Sequence, residues 1–284
     1  MSIVASRTNT PARIVGQIAK WLVLGFFFAF TFLPLVWLLI SSFKTNLELQ
    51  MRPFALPETW QFINYVKAVS ISGLPRLFLN SILVSSMSTA LAMLVTSMAG
   101  FVFSRESFFF RQGLLNLILA GVLVPIIALM APYFRLTNAL GIYDSLWALV
   151  FTYTAINIPI STFLIYGFMK TLPAELEEAA IIDGTGFFGR YWRIILPLTK
   201  PGMVTAGTFV FLFSWNEFIY ALLLTSRPAV RTLQLGIRFF NSQFFTDYTS
   251  MFAAIVLTML PTIIIYVVLH EQIIKGMTSG ALKG

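Results

Sequence analysis

The chain has 284 residues, 58% of them hydrophobic and 11% charged, with a mean hydropathy of +0.84. Soluble domains carry about 25% charged residues, so a soluble globule is excluded and an all-α integral membrane protein is expected. The absence of cysteine removes disulfides and thiolate or cysteine–metal chemistry, and the net charge of +8 lies between apolar runs, where it reads as a topology signal rather than a nucleic-acid surface.

The first twenty residues carry Arg7, Arg13 and Lys20, like the basic front of a signal peptide. The apolar run that follows is too long for a signal core and lacks a clean small-residue cleavage site, so it is expected to stay as a first span. Six stretches are long and apolar enough to cross a bilayer as helices: Trp21–Ile40, Phe78–Phe103, Gly113–Phe134, Ser145–Met169, Met203–Ser226 and Tyr248–Leu269. The first connection, about forty residues with Pro53, Pro57 and Trp60, is the large extramembrane one. Placing the N-terminus in the cytoplasm puts eleven Lys and Arg on that side and eight on the other, a bias toward N-in, C-in. A single transmembrane domain over 1–284 is the simplest division, with no inverted repeat in view.

The fourth connection, about 171–200, holds the longest polar-rich stretch of the second half, Leu176 to Pro197. Thr171-Leu172-Pro173 reads as a helix start, and Ala174 to Asp183 as a helix with Glu175, Glu177 and Glu178 near its positive end. Gly184 reads as its stop. Phe187 to Ile195 reads as a second short helix, with Phe187, Tyr191 and Ile194 on one side and Arg190 and Arg193 on a polar edge. The bland alternative is an amphipathic loop lying on the membrane surface.

The order Glu178-Ala179-Ala180, three residues, Gly184, nine residues, Ile194-Ile195-Leu196-Pro197 resembles the EAA loop of ABC importer permeases. Ile182-Asp183-Gly184, Ser214-Trp215-Asn216-Glu217 and the tail Gly276 to Gly284 resemble the carbohydrate branch of that family, and in particular the smaller permease of maltose-type importers. The resemblance implies a cytoplasmic helix–turn–helix coupling loop in which Glu178, Ala179, Ala180, Asp183, Gly184, Ile194, Leu196 and Pro197 meet a partner ATPase. It implies a multi-pass protein of the bacterial inner membrane that forms half of the path for a sugar or oligosaccharide. It also implies a second homologous permease, an ATPase dimer that binds ATP and Mg, an extracytoplasmic solute-binding protein, and a cytoplasmic tail at 275–284.

No catalytic constellation or metal site is expected, because the chain has no cysteine and a single histidine, His270. Gly184-Thr185-Gly186-Phe187-Phe188-Gly189 matches G-x-G-x-x-G, but a helix rather than a strand precedes it, so the match is incidental. No Walker A sequence is present, which leaves ATP to a partner. Glu217 lies inside an apolar run, where a carboxylate is costly and faces protein or water. With Trp215 and Asn216 it is a candidate for lining a sugar path; the plain alternative is a structural pairing. A stand-alone secondary transporter or channel is the rival function, and it would require more intramembrane charges than this one.

Overall fold

The computed structural model describes residues 11–71, 73–236 and 247–281, with side chains described over 15–70, 73–235, 247–264, 266 and 267. Among the described residues every regular element is helical. The first half comprises α1 (Pro11–Ser41), α2 (Asn46–Met51), α3 (Ile63–Ile71), α4 (Leu74–Arg105), α5 (Arg111–Ala120), α6 (Met130–Ala139) and α7 (Leu146–Met169). The second half comprises α8 (Glu175–Ile182), α9 (Phe187–Gly189), a π-helical run Arg190–Ile195, α10 (Leu196–Asn216), α11 (Ile219–Leu224), α12 (Leu233–Gly236) and α13 (Tyr248–Ala281).

Among the described residues, four helical runs are long and apolar enough to cross a bilayer: Val15–Ser41, Leu74–Arg105, Leu146–Met169 and Phe187–Asn216. A bent pair, Arg111–Leu123 and Ile126–Ala139, makes a fifth if taken as one span. The stretch Gly113–Phe134 is therefore not one straight helix; the pair turns by 100°. Proline explains the break. Pro125 offers no N–H and disfavours helical backbone before it, and Val124 is extended, with ψ 121°. In the last expected span, the shorter apolar helix Tyr248–Ile264 is described with its side chains, and the backbone stays helical through Ala281. His270 and the side chains of the tail lie outside the described side chains, and residues 282–284 lie outside the described backbone.

The fifth expected span is shifted in register. The helical run starts at Phe187 and ends at Asn216, so what reads as a separate short helix at 187–195 continues into the span. The joint is the π-helical turn, in which the Leu196 amide bonds to Tyr191 O. Pro197 follows directly and cannot donate, so the ladder there is already incomplete and a widened turn is tolerated.

α4 is the central helix, packed along α7 and α10. Gly100 allows the α4–α7 approach: a Cβ there would meet Ile165 Cγ2 at 2.9 Å. Near the EAA-like turn, Ala92, Phe101, Ile165, Met169, Tyr191, Ile195 and Ala206 form one core. A second core joins Val84, Leu149, Tyr153, Tyr220 and Leu224, and a third joins Ala68, Leu77, Trp215, Leu233 and Ala253. Hydroxyls serve the helix contacts as well; Ser88 Oγ donates to Val150 O at 3.3 Å. By contrast α1 leaves Phe26, Phe27, Phe28 and Phe30 exposed and leans on α13, where the Trp37 and Phe252 rings lie 5.5 Å apart.

The first connection is folded. Buried Lys44 donates its Nζ protons to Arg52 O (2.9 Å) and Pro53 O (3.0 Å), and Asn64 Nδ2 donates to Ser42 O and Lys44 O.

Candidate functional site

The Leu176–Pro197 turn sits at the shared end of α4 and α7. α8 begins at Glu175, and no side chain caps it. The Thr171 hydroxyl, expected as that cap, instead donates to Phe168 O at 2.7 Å and closes the end of α7. Being four residues before Glu175, it is too far from the first free amides of α8 to serve them.

α8 ends in a Schellman motif. The Thr185 amide donates to Ala180 O and the Gly184 amide to Ile181 O, both at 2.9 Å, and Gly184 has φ +79°. This geometry gives the Ala-to-Gly spacing of four a physical cause: Ala180 is the third residue from the helix end and Gly184 the left-handed one beyond it. Ala180 is buried, whereas Glu178, Ala179, Asp183 and Gly184 are exposed. Ile181 and Ile182 project outward, Ile182 with 85% of its surface accessible, beside exposed Phe188 and Trp192. Ile194 and Leu196 are half-buried and Pro197 is exposed. The outer face is thus an apolar knuckle with a carboxylate, Glu178, on its flank.

The inner face is tied down by apolar packing and by polar bonds. Tyr191 and Ile195, four apart, are the buried pair, and Phe187 is partly exposed against the Phe101 ring at 5.2 Å. The Tyr191 and Ser97 hydroxyls lie 2.7 Å apart, linking the π-helical run to α4. Arg190 and Arg193 do not form one polar edge. Arg193 is exposed, while Arg190 turns in and donates to Glu177 Oε1 (2.6 Å) and Glu106 Oε1 (2.8 Å). Arg105 donates to Met169 O (2.7 Å) and Leu172 O (3.0 Å), with its Nε 3.6 Å from Glu177 Oε2. Sequence reasoning placed Glu177 only among the acids at the start of its helix and gave no role in the site to Glu177, Arg105 or Glu106. The signal for Glu177 was present: it lies three residues before Ala180, hence on the buried face of the same helix, while Glu178 points away.

Trp215, Asn216 and Glu217 occupy the break between α10 and α11 but do not converge. Trp215 is 1% exposed, stacked on Phe211 at 5.9 Å in the core against α3 and α13. Asn216 is exposed, and its Nδ2 donates to Leu212 O at 2.8 Å. Glu217 has an extended backbone, ψ 129°, and its carboxylate accepts from Tyr153 Oη (2.7 Å), Tyr220 N (2.8 Å) and Ala221 N (3.0 Å). It satisfies the first free amides of α11, which explains a carboxylate in an apolar run. Among the described residues no cluster of His, Asp or Glu is arranged to hold a metal ion.

Residues 92–279 match the family described as binding-protein-dependent transport system inner membrane component. The chain belongs to that family. Over its full length this permease is 33% identical to the sulfoquinovosyl glycerol transport system permease protein of Agrobacterium fabrum, covering all of both chains. It is 31% identical to the trehalose/maltose transport system permease protein of Thermococcus litoralis, over 88% of this chain and 91% of the relative. A crystal structure of a bacterial ABC transporter that imports the acidic polysaccharide alginate shares the fold, with a TM-score of 0.82 over 92% of this permease and 98% of that chain, at 21% identity. The permease is a multi-pass inner-membrane protein.

Proposed function

We propose that this permease is one of two homologous membrane subunits of an ATP-driven importer, forming half of the path for a sugar or oligosaccharide. The relatives named for sulfoquinovosyl glycerol and for trehalose/maltose support that substrate class. The family description supports delivery by an extracytoplasmic solute-binding protein. In this reading α1, α4, the bent pair α5–α6, α7, the 187–216 run and α13 are six spans, with both termini and the 171–200 loop in the cytoplasm. ATP and Mg belong to a partner ATPase dimer, and the permease itself catalyses nothing. The loop is a helix–turn–helix that seats on the ATPase through Glu178, Ala179, Asp183 and the apolar knuckle, while Ala180, Gly184, Ile194, Leu196 and Pro197 hold its shape. The tail at 275–284 meets the same partner.

The observation that carries this reading is the two-faced loop: a Schellman-closed turn that shows Ile181, Ile182 and Phe188 to the outside while its inner face is bonded to the end of α4 and packed against Ile165 and Met169 of α7. A surface apolar knuckle on a braced base suits a protein groove better than a lipid headgroup layer. A stand-alone transporter is disfavoured by Glu217, the acid within an apolar run that would have to carry a coupling ion, since both its carboxylate oxygens cap a helix. Of the three path candidates, Asn216 is the one whose side chain is exposed. Because the chain lacks cysteine, Ile182→Cys provides a unique cross-linking site. The expected product in membranes is a cross-link to a nucleotide-binding subunit; a loop that never cross-links while that subunit copurifies would overturn the docking role.

A further inference from the structure

We propose that Glu177, Arg190 and Arg105 are positioning residues that lock this loop to the ends of α4 and α7, so that movement of the loop reaches the bundle rather than being absorbed at its base. The proposal rests on the reading that the loop docks on the ATPase, and it names the part of the chain that transmits the docked motion.

The need for a lock follows from chain geometry. α7 ends at Met169 and α8 starts at Glu175, so a short non-helical linker with Pro173 is the covalent route between them. At the other end the turn 183–186 joins α8 to α9. Left to these two connections, α8 would rock about them. One guanidinium prevents this: Arg190 grips Glu177 of α8 with Nη1 at 2.6 Å and Glu106, just past α4, with Nη2 at 2.8 Å. A second guanidinium, Arg105, binds the C-terminal carbonyl of α7 and the linker carbonyl of Leu172 while facing Glu177. Four segments therefore meet at two arginines and two glutamates, and the charges balance.

Burial makes the arrangement stiff. The side chains of Glu177, Arg105 and Arg190 are 8%, 10% and 15% exposed. Ion pairs in water contribute little, but a pair sheltered this far is weakly screened, and removing one partner leaves a buried charge without compensation. Arginine suits the place because its rigid planar fork presents a separate nitrogen to each carboxylate, Nη1 to Glu177 and Nη2 to Glu106, whereas lysine offers a single nitrogen on a flexible stem. The Tyr191–Ser97 hydroxyl pair gives a second tie between the π-helical run and α4. None of these groups lies on the exposed knuckle, so bracing and docking are separable by mutation.

The test uses the complete importer in proteoliposomes with its binding protein and sugar. Glu177→Gln keeps size and one acceptor and removes the charge; Arg190→Lys keeps the charge and loses the two-carboxylate grip. Expected for Glu177→Gln is a complex that retains its ATPase and its basal hydrolysis, with stimulation by loaded binding protein and sugar uptake both reduced about tenfold. Arg190→Lys moves both readouts in the same direction, by less. Wild-type stimulation and uptake in the two variants would overturn the proposal. Loss of the ATPase from a properly inserted Glu177→Gln permease would overturn it too, because the residue would then build the docking surface. Failure of the parent reading looks different: Ile182→Cys would not cross-link to the ATPase at all.

Discussion

The Tyr153 hydroxyl donates a 2.7 Å hydrogen bond to Glu217 Oε2, and that carboxylate also accepts from the amides of Tyr220 and Ala221. One side chain thus joins α7 to the point where α10 gives way to α11. Glu217→Ala leaves a hydroxyl and two amides short of an acceptor, at a cost of about 1–3 kcal/mol. The expected outcome is a lower melting temperature of the purified permease complex, with Glu217→Gln closer to wild type. Unchanged melting combined with lost uptake would instead place the carboxylate on the sugar path.

Asp144 provides a pH-dependent contact on the α6–α7 connection. Its carboxylate accepts from the amides of Ser226 (2.7 Å) and Arg227 (3.0 Å) and from Arg227 Nε (2.7 Å). Partial burial pushes the Asp144 carboxyl up, but those hydrogen bonds and the Arg227 charge outweigh it and hold it below the usual carboxylate value. A depressed folded-state value contributes stability that is present above the unfolded value, near 4, and is lost as pH falls through the folded one. Asp144→Asn, which tolerates the left-handed backbone there (φ 55°), is expected to melt lower than wild type at neutral pH. The gap should close as the medium is acidified below the carboxylate range. A gap that persists in acid would mean that shape, not charge, matters at this position.

The proposed orientation is checked with two single cysteines. Phe54, 88% exposed in the first connection, and Ile182 lie on opposite sides of the membrane in the six-span arrangement. An impermeant maleimide added to spheroplasts is expected to label Phe54→Cys and to spare Ile182→Cys until the membrane is opened. Labelling of Ile182→Cys in sealed spheroplasts would invert the topology and place the loop out of reach of an ATPase.

Much of this was legible in the sequence because it depends on local rules. The apolar runs announce helices, and the four-residue step from Ala180 to Gly184 is the one a Schellman motif requires. The break at Val124–Pro125 was less legible, since proline inside an apolar stretch is compatible with a straight, a kinked or a broken helix. The continuation of 187–195 into the span was hidden by Pro197, which suggests a new helix but here follows a π-helical turn. Trp215 and Glu217 looked alike as path candidates. What separates them is tertiary: a core made by α3 and α13 buries the indole, and the amides of α11 claim the carboxylate. The Glu177 cluster draws on residues more than seventy positions apart, Arg105 and Glu177 among them, and no local pattern reports such a meeting.

If the 171–200 loop couples ATP hydrolysis to transport, Gly184 is the position where a change of shape must show. Its φ of +79° costs glycine little but a β-branched residue roughly 1 kcal/mol or more, and beyond its two chain neighbours nothing lies within 4 Å of where a Cβ would stand. Gly184→Val therefore changes the shape of the turn without a clash in the core. The measurement is ATP hydrolysis stimulated by sugar-loaded binding protein in proteoliposomes, normalised to bound ATPase, for Gly184→Val beside Gly184→Asn. Normal membrane insertion is expected for both, with stimulation strongly reduced for valine and largely kept for asparagine, which tolerates the left-handed region. Full stimulation of the valine variant would contradict the coupling role of the loop.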